Sequence, residues 1–341
     1  MKEILLELLQ IEILVYVLMA IVPMLWVIPF ALFAVWWERK ISAHMQDRLG
    51  PMRTGGWHGW AQTIADILKL IQKEDIIPAL ADRKLFKLAP YVVFAGSYAA
   101  YAAIPFSAAY IGSGINIGLF YLISITSIVV VGLLMAGWAS NNKWSLYGAM
   151  RAAAQIVSYE VPVILSILAV VMIVGTFDLQ EINRAQSGPF WNWFVFQKFP
   201  FLFFAAFIYF LASLAEVNRT PFDMPEAESE LVGGYHTEYG GMRFAMLFLS
   251  EYANMFAVSA IAATLFFGGW NSPFGETLSG PWWGAFWFFS KGMAFIFVQM
   301  WLRWTLPRLR VDQLMYVSWK VLIPFSFVII LGVGLWVMLS A

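Results

Sequence analysis

The chain has 341 residues, of which 61% are hydrophobic and only 12% charged, with a mean hydropathy of +0.72 and a formal net charge of zero. Soluble domains carry roughly twice that charged fraction, so the composition indicates a polytopic membrane protein and gives no electrostatic support for a nucleic-acid partner. There are no cysteines, and the three histidines lack a paired metal-binding spacing, so disulfides, thiolate catalysis, iron–sulfur ligation and an intrinsic metal site are not predicted.

Eight apolar runs are about long enough to cross a bilayer core as helices. They cover roughly residues 13–37, 89–111, 117–138, 155–174, 199–215, 244–267, 281–303 and 320–339. Of the 21 basic residues, 17 lie in alternate connections, at 38–88, 139–151, 216–243 and 303–320. By the positive-inside rule these connections face the cytoplasm, and eight crossings then place both termini outside. The sequence predicts an all-α polytopic membrane protein, with a single integral membrane domain over residues 1–341.

The first inside connection, 38–88, contains an amphipathic pattern. Apolar residues recur at helical spacing from Trp57 to Ile71, while Asp66 and Lys69 lie on the opposite face. The pattern predicts an amphipathic helix of about 17 residues, which is too short and too charged to span a bilayer. Its apolar face either lies at headgroup depth or packs on another protein of a complex.

The connection after the fifth run, Ala215–Gly241, carries six of the 21 acidic residues and a single basic residue, Arg219. Acidic residues also extend into the apolar runs. Glu160 lies a few residues into the fourth, Glu216 ends the fifth, and Glu251 lies about two turns into the sixth. A carboxylate at such depth costs several kcal/mol if charged and alone. Each must therefore pair, contact water or exchange protons.

Five stretches carry a family resemblance, in order and in register. They are ERKISAHMQDRLGPMR (Glu38–Arg53), IADILKLIQKEDIIP (Ile64–Pro78), RAAAQIVSYEVP (Arg151–Pro162), AEVNRTPFDMPEAESELVGGY…LSEYANM (Ala215–Met255) and TLPRLRVDQLM…WKVLIP (Thr305–Pro324). The chain resembles the membrane subunit that carries the quinone chamber of respiratory complex I, called H in bacteria and subunit 1 in mitochondria. It departs from the family pattern at Met52, Gly55–Gly56 and Thr63.

The resemblance implies a subunit of a proton-pumping NADH:quinone oxidoreductase in the bacterial plasma membrane. Quinone, either ubiquinone or menaquinone, would be the substrate, and flavin and iron–sulfur clusters would belong to partner subunits. The implied partners are the peripheral-arm subunits at the quinone site, the neighbouring membrane-arm subunits and lipid.

Two groups of candidate residues follow from the buried charges and the resemblance together. The proton-translocation group is Glu160, Glu216, Asp223, Glu226, Glu228, Glu230, Glu251 and Lys291. The quinone-chamber group is Glu38, Arg39, Arg48, Asp66, Arg219 and Phe222. Arg219 is the expected counter-charge of the acids in its own connection. Lys291 is expected to form an ion pair with an intramembrane carboxylate, or else to be a relay step itself.

Two other function classes remain open on the sequence. The membrane anchor of a related membrane-bound hydrogenase or dehydrogenase would explain the long inside connections. A cation/proton antiporter would explain the buried glutamates and the buried lysine, but neither those connections nor the lack of an inverted repeat. The proteins that co-purify with the chain would discriminate among these classes.

Overall fold

The computed structural model describes residues 12–108, 110, 114–275 and 277–340, and for residues 12–20, 23, 24, 228 and 229 it describes the backbone alone. Within these residues there is no β-strand. The helices are α1 (Glu12–Met45), α2 (Gln62–Gln72), α3 (Arg83–Ala99), α4 (Gly118–Ala139), α5 (Lys143–Val174), α6 (Leu179–Ala185), α7 (Phe194–Gln197), α8 (Phe201–Glu216), α9 (Glu228–Leu231), α10 (Gly241–Phe266), α11 (Pro281–Thr305), α12 (Val311–Tyr316) and α13 (Ile323–Ser340). A π-helical stretch, Val317–Leu322, joins α12 to α13. The predicted all-α class is confirmed for this part of the chain.

Five helical segments of the described chain are long and apolar enough to cross a bilayer: α4, α5, α10, α11 and the continuous segment Val311–Ser340. They coincide with five of the eight predicted spans. The other three predictions overlap α1, α3 and α8, which are not among these five. Residues 109 and 111, at the end of the second predicted span, lie outside the described residues. The count of eight crossings therefore stays a prediction.

Helices α3, α4 and α5 pack closely because small residues lie where they meet. A Cβ atom at Gly132 of α4 would lie 2.5 Å from the Val93 side chain of α3. One at Gly137 would lie 2.3 Å from Ala149 of α5. Such residues let helix backbones approach in a membrane, where burial of apolar surface supplies little attraction between helices.

Helix α10 is the most enclosed of the five candidate spans. The hydroxyl of Tyr101 donates to the carbonyl of Ala253 at 2.7 Å, and the hydroxyl of Tyr209 donates to that of Val258 at 3.1 Å. Both tyrosines are buried. The helix that carries Glu251 is thus held from several sides by side chains of its neighbours.

The amphipathic helix is shorter than the sequence pattern predicts. Helix α2 has 11 residues, and a 3-10 turn, Trp57–Gly59, precedes it. Gly55, Gly56, His58 and Gly59 all have positive φ, which interrupts a right-handed helix. The apolar face is exposed, with Leu68 at 53% and Ile71 at 56% of their surface. This face is available to lipid or to a partner protein.

The connection from α8 to α10, residues 217–240, folds back on itself. At Gly234 the φ angle is +56°, and a Cβ atom would lie 1.8 Å from the carbonyl oxygen of Pro225. Only glycine fits a left-handed position with backbone so near. A Cβ atom on Gly148 of α5 would lie 2.6 Å from the Cα of Gly234. The acidic connection is therefore set against α5, and its residues 235 and 236 come close to residue 226.

Candidate functional site

Glu38, near the C-terminal end of α1, is the centre of a buried charge network, with only 3% of its surface exposed. Arg219 donates from Nη1 to both carboxylate oxygens, at 3.1 and 3.2 Å, and the Tyr252 hydroxyl donates at 2.6 Å. Arg303 of α11 donates to the same carboxylate. The Arg219 guanidinium also lies over the Tyr252 ring, 4.6 Å from its centre. Four segments of the chain thus meet at one carboxylate.

These contacts correct the role predicted for Arg219. Its direct ionic partner is Glu38 of α1, and not an acid of its own connection. Among the acids of that connection, Glu230 instead pairs with Arg151 at 2.6 Å and Arg308 at 3.0 Å. The hydrogen bond from Arg151 lowers the pKa of Glu230. Glu230 is held as an exposed, ionised group.

A second cluster joins the acidic connection to helix α10. The Nε2 atom of His236 lies 2.9 Å from Glu226 Oε1 and 3.2 Å from Glu251 Oε1. The Tyr235 hydroxyl reaches the same two oxygens, at 3.3 Å on Glu226 and 2.6 Å on Glu251. The sequence spacing of the histidines gave no indication of this cluster, because the fold alone brings its members together.

The electrostatics of this cluster favour protonated forms. Burial alone would lower the pKa of His236, but the carboxylates of Glu226 and Glu251 outweigh burial and raise that pKa to about 10. Burial, followed by the charge of Glu251, raises the pKa of Glu226. The cluster therefore retains protons at neutral pH that isolated side chains would release.

Charged groups of both clusters act on Asp223. Its Oδ1 atom is buried without a hydrogen-bond partner among the described residues. Burial, and then the charge of Glu226, raises the pKa of Asp223 to about 6. The side chain of Glu228, a further member of the predicted group, lies outside the described residues.

Glu216, the last residue of α8, lines two cavities. One also has Tyr235, Glu251 and Asn254 on its wall. The other is lined mainly by apolar side chains of α4, α5, α8 and α10, together with Asn254 and Thr126. The Asn254 Oδ1 atom is buried without a partner among the described residues, so a polar atom as well as Glu216 borders both spaces. Buried polar atoms of this kind are what ordered water binds.

Two further charged residues lie within candidate spans. Glu160 of α5 accepts a hydrogen bond from the Ser127 hydroxyl of α4. Lys291 of α11 donates to three backbone carbonyls, those of Phe267, Gly269 and Asn271, at 2.7, 2.9 and 2.7 Å. The carboxylate partner predicted for Lys291 is wrong, since carbonyl oxygens beyond the end of α10 satisfy its ammonium group.

Three of the predicted chamber residues lie together at the start of the first connection. Arg39 pairs with Asp66 of α2 at 2.5 Å, and both side chains are partly exposed. Arg39 and Arg48 line one open pocket, next to residues 49–51. Phe222 is not beside them. It is buried and packs on Tyr159, with ring centres 5.1 Å apart.

Four functional candidates are absent from the sequence-based set: His236, Tyr235, Tyr252 and Arg303. The signal that could have found them is weak. His236 and Tyr235 lie in the acidic connection, and Tyr252 follows Glu251, but Arg303 is 265 residues from its partner Glu38.

Comparison with known proteins gives the family. A model of the family described as NADH dehydrogenase matches residues 16–334. The chain is 58% identical to the NADH-quinone oxidoreductase H subunit of Chlorobium luteolum, over 93% of this chain and 88% of the relative. The chain belongs to the family of NADH-quinone oxidoreductase H subunits. It is also 56% identical to the H subunit of Chlorobaculum parvum, over 94% of this chain and 92% of that protein, and 48% identical to an H subunit of Cytophaga hutchinsonii, over 90% of this chain and 95% of that protein.

This membership confirms the resemblance to the H subunit of complex I. The two clusters and the cavities beside Glu216 are therefore features of a chain of this family. The acidic connection supplies Arg219 to the Glu38 cluster and supplies Glu226 and His236 to the other cluster. The same segment therefore takes part in both clusters.

Proposed function

We propose that this chain is the membrane subunit of a proton-pumping NADH:quinone oxidoreductase that forms the quinone chamber and conducts protons along a carboxylate-lined path. Family membership supports its place in such an enzyme complex, beside other complex I subunits. The absence of cysteine from the sequence agrees with flavin and iron–sulfur clusters held by partner subunits. Neither a hydrogenase anchor nor an antiporter has comparable support, because the relatives are subunits of a quinone oxidoreductase.

The proposal includes the predicted topology. Eight crossings of one integral domain, with both termini outside, place the acidic connection and the first connection on the cytoplasmic side. The 17 basic residues of alternate connections support this orientation. Bacterial relatives support a plasma-membrane location.

The quinone chamber is proposed at the start of the first connection. Arg39, Arg48 and Asp66 would line its outer part, where the pocket beside Arg39 and Arg48 offers a polar wall near the exposed apolar face of α2. Quinone has a polar head and an apolar tail, so it suits a site where charged side chains border an apolar surface. The buried network of Glu38 and Arg219 would form the inner wall, with Phe222 behind it.

The proton path is proposed to begin at the acids of the connection, Asp223, Glu226, Glu228 and Glu230, and to continue through Glu251 to Glu216 and Glu160. The observation that carries this proposal is that Glu216 lines both cavities, one of which it shares with Glu251. A carboxyl group between two spaces that share an unpartnered polar atom, Asn254 Oδ1, can receive a proton from one side and release it to the other. Lys291 is proposed as a structural residue of the outer side, and not as part of the path.

Kinetics of chamber variants test the quinone site. Asp66→Ala and Arg48→Ala should raise the KM for quinone or lower quinone-linked turnover, because each removes a polar group from the proposed wall. NADH oxidation by an artificial acceptor, which bypasses quinone, should remain at the wild-type rate. Lys69→Ala, on the same helix and exposed, is the matched control. An equal fall of both activities would make these residues determinants of assembly and would contradict the chamber.

A further inference from the structure

The contacts of His236 differ from those of an imidazole that only stabilises a fold. One ring nitrogen, Nε2, touches two carboxylates that belong to different segments, Glu226 in the acidic connection and Glu251 in α10. The other, Nδ1, is buried and has no hydrogen-bond partner among the described residues. A structural histidine commonly has its second nitrogen fixed by a carbonyl or carboxylate. Among the described residues, the two carboxylates are the hydrogen-bond partners of the ring.

The geometry points to a proton-transfer role. We propose that His236 passes protons between Glu226 and Glu251 through its Nε2 atom, and so joins the acidic connection to the carboxylates of the membrane helices. The inference rests on the proposed proton path, and it identifies a residue that connects the two halves of that path.

The transfer balances without any other reactant. The Nε2–H bond of the imidazolium breaks, and the proton forms an O–H bond on the ionised Glu251. The neutral ring then takes the carboxyl proton of Glu226, which becomes ionised, and the imidazolium is restored. Because both carboxylates contact the same nitrogen, the ring does not rotate and the hydrogen on Nδ1 is unchanged throughout.

The groups around His236 suit such a transfer. The Tyr235 ring lies against the imidazole at a tilt, with centres 4.1 Å apart, and its hydroxyl lies within hydrogen-bond reach of the same two carboxylate oxygens, so it can donate to whichever one is ionised. Phe244 of α10 contacts the imidazole edge-on, with centres 5.3 Å apart. The positive charge of Arg219, which belongs to the Glu38 network, also acts on Glu251. The side chain of His236 is only 9% exposed, so bulk water does not replace these partners.

The substitution His236→Gln distinguishes a proton-transfer role of the side chain from a hydrogen-bonding role. The side-chain amide of His236→Gln can still donate to Glu226 or Glu251, but it cannot take up and release a proton near neutral pH. We expect a complex that assembles and oxidises NADH normally with an artificial acceptor, while its quinone-linked turnover at pH 7 falls at least about fivefold.

The pH profile provides a readout that a structural role would not change. In the wild-type complex the transfer requires the protonated ring, and the pKa of about 10 means that this form is lost as the pH rises towards 10. Of the titratable groups around the ring, Glu226 and Glu251 are the acids, and burial holds the pKa of the Tyr235 hydroxyl well above its usual value. Arg219, which acts on Glu251, stays charged. The ratio of wild-type to His236→Gln turnover should therefore shrink above about pH 9.

A control variant and the results that would overturn the inference are as follows. His44→Gln, an exposed histidine at the end of α1, should leave turnover unchanged. Wild-type turnover and proton yield in His236→Gln would overturn the inference, because transfer would then pass directly from Glu226 to Glu251. A constant activity ratio across the pH range, or failure of both His236→Gln and His236→Asn to assemble, would also overturn it in favour of a structural role. Glu216→Gln in the same assay tests the path itself: if that variant fails while His236→Gln is normal, only the role of His236 is rejected.

Discussion

The Glu38 network gives a sharp prediction about local stability. Glu38→Gln keeps the size of the side chain but removes the negative charge that faces Arg219, Arg303 and the Tyr252 hydroxyl. Removing one partner of a buried ion pair costs about 3–5 kcal/mol, because the other charge stays buried and unpaired. Since each 1.4 kcal/mol is a factor of about ten, local opening should increase between about a hundredfold and a few thousandfold. The amide of glutamine still offers one acceptor oxygen, which favours the lower end of that range.

Hydrogen exchange in the assembled complex measures this opening at the backbone amides of Arg219 and Phe222. These amides are bonded to the carbonyls of Leu214 and Arg219, at 3.1 and 2.8 Å, and they exchange only when the segment opens. Arg39→Gln is the matched control, since Arg39 is the next residue of α1 and its ion pair is partly exposed and contributes about 0–1 kcal/mol. If these two amides exchange in Glu38→Gln within about fivefold of the wild-type rate, the Glu38 network does not hold this segment closed.

Three further variants test other contacts. Gly234→Ala should abolish assembly because its Cβ would lie 1.8 Å from the Pro225 carbonyl oxygen. Gly175→Ala, also at positive φ but in open space, should cost only about 1 kcal/mol of stability. Equal yields of assembled complex from the two variants would contradict the packing at Gly234. Asp223 has a raised pKa of about 6, so its contribution to stability is present at low pH and is lost as the pH rises through 6. Local opening of the acidic connection, measured by hydrogen exchange and corrected for the intrinsic rate, should therefore rise between pH 4 and 6.5 in the wild type but not in Asp223→Asn. An unchanged rise in the variant would assign the pH dependence to another group. Lys291→Met leaves three carbonyls without their donor and should lower the thermal stability of the complex. Lys291→Arg should retain most of that stability. Normal stability of Lys291→Met together with lost proton pumping would instead indicate that Lys291 is a relay.

The sequence predicted the features that depend on residue types and spacing within one short segment. Long apolar runs predicted the five candidate spans, and acidic residues inside or beside such runs singled out Glu216 and Glu251. The pairing of Arg39 with Asp66 joins two members of the predicted chamber group. In each case the signal lies in residue types and spacing along one helix or its end.

The sequence was insufficient where distant segments meet. Arg219 pairs with Glu38, which lies 181 residues away, so the acids nearest in sequence were the wrong partners. The cluster of His236 with Glu226 depends on a reversal of the chain at Gly234, where the missing side chain allows a close backbone contact. Lys291 binds backbone carbonyls, and carbonyls have no residue signature in a sequence.

The proposed proton path requires Glu216 to change its protonation during turnover. The most direct measurement is the number of protons pumped per NADH oxidised in vesicles, for wild type, Glu216→Gln and Glu216→Asp, normalised to assembled complex. Glutamine keeps the size and most hydrogen bonding of the side chain but cannot titrate, whereas aspartate titrates with a shorter reach. We expect Glu216→Gln to assemble with severely reduced quinone-linked activity and proton pumping, and Glu216→Asp to retain a measurable part of both. A Gln variant that pumps at the wild-type stoichiometry would contradict the proposed path.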